Sequence, residues 1–198
     1  GFSSRHCKKY PGLTKAALQQ EPKSYLYFGF TTIVDLGDRN TETEKLYQSS
    51  EYAPQLYGVG HTVRQFDGYG YNFFKKPDVY TGEMFNWVYN PGQLKDIPSG
   101  IDLTQHTPDA VIQAAVNAGA IAVKTFYEDG FSGVMPGLKL PSDSLLKEIV
   151  DKAHLKKMPV MLHATSVEAY KKGLVAGVDI FAHGLWHFEK GNFLDAAA

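Results

Sequence analysis

Three residues carry the chemistry that can be read in this sequence. Lys124, His163 and His183 each follow a short, mainly apolar run: Ile121-Ala122-Val123, Val160-Met161-Leu162 and Val178-Asp179-Ile180-Phe181-Ala182. Short apolar runs of this kind fit strands buried on both faces, so each polar residue stands at a strand's C-terminal end. Two imidazoles suit zinc and its neighbours among the divalent metals. Lysine adds a rarer chemistry. A buried ammonium loses its proton readily, and the neutral amine can add carbon dioxide. The resulting carbamate is an anion with two oxygens, able to bridge two cations. One histidine at a strand end is commonplace; two in successive units, after a lysine placed in the same way, point to a shared metal site.

The elements that must position these residues follow a regular rhythm in the second half. Thr107-Pro108-Asp109 supplies a cap, a first-turn proline and an acid at the positive end of a helix dipole. Val111, Ile112, Ala115 and Val116 then recur at helical spacing, and Gly119 fits a left-handed cap. The unit repeats with Ser142 as cap and Leu145, Leu146, Ile149, Val150 and Ala153 as one apolar face. Pro159 ends that link. Thr165 and Glu168 have capping-box spacing, so a third helix starts after His163 and stops near Gly177.

The first half is less regular. A helix over 13–26 is interrupted by Pro22, a β-branched strand covers 30–36 and ends at Gly37, and a helix covers 41–52. A second strand over 57–63 is weakened by its glycines. From 65 to 106 there is no steady period, but many aromatics. Five strands separated mostly by helices imply parallel βα units. Periodicity fits a (β/α)8 barrel and an open doubly wound sheet equally. In a barrel, side chains at the strands' C-terminal ends converge on one mouth.

Composition narrows the function classes. The 198 residues are 43% hydrophobic and 21% charged, with net charge -1. An interface with nucleic acid would need a basic excess to neutralise phosphates, and no apolar run approaches the ~20 residues of a membrane helix. The expected partner is therefore a small-molecule substrate, with neither nucleic acid nor membrane; association into a homo-oligomer stays open. The lone Cys7 cannot form an internal disulfide. The compartment is not legible, and cytoplasmic, periplasmic and secreted locations all stay open.

Four segments resemble the amidohydrolase superfamily, in the right order. Gly29-Phe30-Thr31-Thr32-Ile33-Val34-Asp35-Leu36-Gly37 is similar to the second-strand signature of imidazolonepropionase-like members. Ala120-Ile121-Ala122-Val123-Lys124 resembles the strand-four segment with the carboxylated lysine, and Pro159-Val160-Met161-Leu162-His163-Ala164 the strand-five histidine segment. Ala176-Gly177-Val178-Asp179-Ile180-Phe181-Ala182-His183-Gly184 resembles the strand-six histidine segment. The resemblance implies a (β/α)8 barrel, present here as about five βα units in one domain over 1–198 with an aromatic-rich insertion at about 65–106. It implies two zinc ions bridged by carboxylated Lys124, with His163 and His183 as ligands of one of them, and a metal-bound hydroxide that attacks an amide or a related C–N or ester bond. The lysine places the chain nearer the prolidase-like two-metal branch than the single-metal imidazolone hydrolases. The family's strand-one His-x-His pair and strand-eight aspartate have no counterpart here; Asp195 lies too close to strand six. The chain is therefore expected to be an internal segment, not a competent catalyst alone.

His61 closes the 57–63 strand, while Tyr71 and Trp87 lie in the aromatic insertion; all three are candidate substrate contacts. His187 is a candidate loop histidine beside the site. His6, His106 and His154 read as surface residues, and Glu128-Asp129-Gly130 as a solvated turn. A phosphotriesterase- or lactonase-like hydrolase using the same residues, and a non-catalytic truncated barrel, are the competing readings.

Overall fold

The computed structural model describes residues 11–70, 86–130 and 137–185. Tyr71, His187, Asp195, His6, Cys7 and the rest of the aromatic segment from 71 to 85 lie outside the described residues. The chain is α/β, and every strand pair among the described residues is parallel. Helix α1 (Pro11–Tyr27) precedes β1 (Thr32–Asp35), α2 (Thr41–Ser49) and β2 (Gln55–Gly58). Two short strands follow, β3 (Arg64–Gln65) and β4 (Trp87–Val88), and then α3 (Pro108–Asn117) and β5 (Val123–Phe126). The chain continues through α4 (Asp143–Leu155), β6 (Val160–His163), α5 (Val167–Ala176) and β7 (Ile180–Phe181).

The strands form three small sheets, β1-β2, β3-β4 and β5-β6-β7. Backbone hydrogen bonds link the first to the third: Ile121 N–H donates to the Gly58 carbonyl at 3.0 Å, and Val63 N–H to the Lys124 carbonyl at 2.8 Å. The segment after β2 thus lies beside β5. The sequence expectation of a strand over 57–63 needs correcting, because the strand occupies Gln55–Gly58. Gly60 takes φ +65, a left-handed conformation that a strand does not permit. Around β3 and β4, Arg64 N–H donates to the Asn86 carbonyl and Phe66 N–H to the Val88 carbonyl.

The helices of the second half stand where their caps put them. Thr107 accepts from Ala110 N–H at 3.2 Å and Ser142 from Leu145 N–H at 3.2 Å. The start of α5 differs from expectation: Ser166, not Thr165, caps it by accepting from Ala169 N–H, because Thr165 is engaged elsewhere. Gly177 closes α5 at φ +88. In the first half α1 runs through Pro22 without a break, and α2 ends at Ser49, short of the expected 52.

One core holds β5, β6, α3, α4 and α5 together. Leu145, Leu146, Ile149 and Val150 of α4 pack with Val111, Ile112, Val123, Val160 and Leu162. Burying each large apolar side chain contributes about 1.5–3 kcal/mol. Side chains alternate along a strand, so Val123, Thr125, Val160 and Leu162 share the helix-facing side of the β5-β6 pair. Lys124, Phe126, Met161 and His163 share the other, since Lys124 is level with Met161 and Phe126 with His163. The helix packing therefore fixes which side chains face the candidate site.

Candidate metal-binding site

The structure brings Lys124, His163 and His183 into one cluster, though not in one register. His163 is level with Phe126, and Lys124 lies two residues deeper on the same face. Two residues of strand span about 6.6 Å, and the four-carbon lysine stem makes up that distance: Nζ lies 4.5 Å from the Phe126 ring centroid. His163 and His183 meet edge to face, with ring centroids 4.5 Å apart. The hydroxyl of Tyr170 donates to the His183 carbonyl, and the Tyr170 ring stacks on Phe181 at 4.1 Å. Helix α5 thus clamps the backbone that carries His183.

Lys124 is 2% exposed, and its Nζ has no hydrogen-bond partner among the described residues. Burial, aided by the nearby Arg64 guanidinium, pushes its pKa down to about 7. Burial also lowers the pKa of His163, against an opposing pull from Glu128. That of His183 falls through burial first, then the neighbouring His163 and Lys124. All three groups are therefore biased toward the neutral forms that can bind a cation or, for the amine, take up carbon dioxide. The donor set suits a divalent metal. Among the described residues, however, no three or more His, Cys, Asp and Glu side chains form a ready-made cage, so a metal here would depend on Lys124 as well.

Several residues at this site were not legible as such in the sequence. Glu128, expected in a solvated turn, is 4% exposed. It accepts from the Gly130 N–H at 3.0 Å and from the Thr165 hydroxyl, and its Oε2 lies 3.4 Å from His163 Nε2. Tyr69 stacks on the His163 ring with centroids 4.6 Å apart and an interplanar angle of 23°. Arg64 sits 5.3 Å above Phe126 and makes a bidentate bond to Asp38, at 3.0 and 2.7 Å. The sequence singled out Thr165 for its capping-box spacing and Glu128 for a turn, and both signals pointed to different roles.

The remaining candidates stand apart. Trp87 is fully buried; it stacks on His106 at 3.6 Å and tilts against Phe66. His106, expected at the surface, is buried there, its Nδ1 3.1 Å from the Trp87 carbonyl. His61 is half-buried on the segment between β2 and β3, where its carbonyl accepts from the Asn86 amide. His154 is exposed and pairs with Asp179 at 2.9 Å. No helix is long and apolar enough to cross a membrane among the described residues.

Several solved structures are similar to this chain in fold. The chain aligns with A. niger ochratoxinase at 20% identity and TM-score 0.59, covering 87% of this chain and 40% of that one. A prolidase complexed with N-methylphosphonate-L-proline aligns at 16% identity and TM-score 0.58, covering 85% and 40%. Phenylurea hydrolase B aligns at 16% identity and TM-score 0.59, covering 92% and 43%. The likeness to these hydrolase structures is one of fold. The chain spans about two fifths of the length of these structures. No family model matches it, and no curated protein does.

Proposed function

We propose that this chain carries part of the active site of a metal-dependent amidohydrolase that cleaves an amide or a related C–N bond, in the manner of prolidases. The observation that carries the reading is the Lys124 amine. It is buried, without a hydrogen-bond partner among the described residues, and beside a pair of histidines. Leaving a buried amine unpaired is costly, and a fold that retains it has a use for it. Lys124, as a carbamate, and His163 and His183 would hold a divalent metal, zinc in the first instance, in a two-ion site.

A metal so bound would lower the pKa of a water molecule and polarise the scissile carbonyl. The chain's own residues do the positioning. Tyr69 and Phe126 flank the His163 ring and keep bulk water from that side of the cluster. Tyr170 fixes the turn that carries His183. Glu128 places a carboxylate beside His163. The test combines metal analysis with a substrate screen of dipeptides, N-acyl amino acids, lactones and aryl phosphotriesters. The chain alone should turn over little; with the rest of such a site supplied, turnover should be confined to the C–N substrates and abolished by Lys124→Ala, with partial rescue by short carboxylic acids that replace the carbamate. Preference for phosphotriesters or lactones would reject the amidase reading.

A further inference from the structure

Arg64 is a cation beside the cluster that the metal-site reading leaves without a task. Val123, level with Val160, donates its N–H to the Pro159 carbonyl. By the same parallel pattern the bond from Val63 N–H to the Lys124 carbonyl, 2.8 Å long, sets Val63 level with Thr125. Arg64 is then level with Phe126, which is itself level with His163. Val63 belongs to the helix-facing core. Side chains alternate along a strand, so Arg64 falls on the face that carries Lys124, Phe126 and His163. Its Cζ stands 5.3 Å from the centroid of the Phe126 ring, and Nζ of Lys124 stands 4.5 Å from the same centroid. Arg64 and His163 therefore flank Phe126 at one level, two strand spacings or about 10 Å apart along the backbone.

Asp38 takes only one edge of that guanidinium. Nη1 donates to Oδ1 at 3.0 Å and Nη2 to Oδ2 at 2.7 Å. Oδ1 also accepts from the Thr62 N–H at 3.0 Å and from the Thr62 hydroxyl at 2.8 Å, so the carboxylate is shared and does not fully neutralise the arginine. A guanidinium carries five N–H donors in a planar fork. The Nε–H of Arg64 is buried and has no hydrogen-bond partner among the described residues. Bare backbone covers that edge, for a Cβ on Gly70 would lie 2.6 Å from Nε. A buried donor left unpaired is costly, and the geometry of the fork matches a carboxylate. We propose that Arg64 is a substrate-binding residue whose free edge takes the carboxylate of the amino acid on the leaving side of the scissile C–N bond, with Gly70 moving aside to admit it. The inference rests on the amidohydrolase reading and narrows it to dipeptides and N-acyl amino acids, in which a free carboxylate lies two bonds beyond the amide nitrogen.

The experiment reads the Nε–H directly and needs no metal. The metal-free 198-residue chain is labelled with ¹⁵N-arginine and followed by ¹H–¹⁵N correlation at neutral pH. The sequence holds three arginines, Arg5, Arg39 and Arg64, and the Arg64 signal is the one kept when Arg5→Lys and Arg39→Lys are combined. N-acetyl-L-alanine, with its free carboxylate, is titrated beside its uncharged amide. The carboxylate should move the Arg64 Nε–H signal saturably in the millimolar range, and the amide should leave it in place. Arg64→Met should weaken binding of radiolabelled N-acetyl-L-alanine, measured by equilibrium dialysis, by about tenfold or more. No movement at roughly 100 mM ligand, or an equal response to the amide, overturns the proposal. The wild-type spectrum decides it alone if Arg64→Met does not fold. If the signal responds as stated but the chain retains no zinc, the amidohydrolase reading fails while the carboxylate site at Arg64 stands. Zinc retained beside a silent Arg64 signal rejects the carboxylate site alone.

Discussion

Lys124 is the residue at which folding and chemistry pull in opposite directions. Its pKa falls from 10.5 to about 7 through burial and the proximity of Arg64. Between those values the unfolded chain binds more protons than the folded one, so stability rises with pH across that window. Below about pH 7 both states are protonated and the penalty is fully present; above about 10.5 it is gone. A tenfold change in proton affinity corresponds to about 1.4 kcal/mol, so the penalty amounts to a few kcal/mol. Lys124→Met, which keeps the length and removes the amine, should therefore stabilise the metal-free protein by about 2 kcal/mol near pH 7. Urea midpoints in carbonate-free buffer should show that gap closing toward pH 10; a constant gap would show that the amine is not the cause. The sequence made Lys124 conspicuous because a cation after an apolar run is rare. It hid Glu128 and His106, whose burial depends on Thr165 and Trp87, 37 and 19 residues away. No local pattern reports contacts of that kind.

Among the elements, α5 and the strands beneath it are fitted most closely to the site. A Cβ on Gly173 would lie 2.7 Å from Phe181 Cε1 and 2.8 Å from Leu162 Cδ2, so only glycine allows the helix this near the β6-β7 pair. Gly173→Ala gains up to about 1 kcal/mol of helix propensity but overpacks the interface at a cost of about 1–3 kcal/mol. We expect net destabilisation of about 1 kcal/mol by thermal melting; a more stable variant would show that the helix can move away freely. Tyr170→Phe removes the hydroxyl bonded to the His183 carbonyl and should cost about 1 kcal/mol, with looser zinc binding as the functional sign. The cap-helix-strand units from 107 to 177 were legible because each brings its own start and stop signals. In the first half, Gly60 and the two-residue strands β3 and β4 are set by pairing across the chain, and no periodicity of two residues can announce them.

On the scale of the whole molecule, the packing is uneven. The continuous core gathers β5, β6, α3, α4 and α5. At α1 and β1, by contrast, Tyr27, Phe28 and Phe30 are exposed. Amide exchange should follow that division, with β5, β6 and α4 the slowest and β1 and the end of α1 the fastest; uniform protection would contradict the single-core description. The site sits on the well-packed part, where preorganisation of a metal centre is possible. The central claim is that Lys124, His163 and His183 together hold a metal. Its most direct measurement is zinc bound per chain, by elemental mass spectrometry after equilibrium dialysis, for the wild type and for Lys124→Ala, His163→Ala and His183→Ala. Zinc should be retained by the wild type and lost, or held at least tenfold more weakly, in each variant. Zinc content unchanged in both histidine variants would contradict the claim.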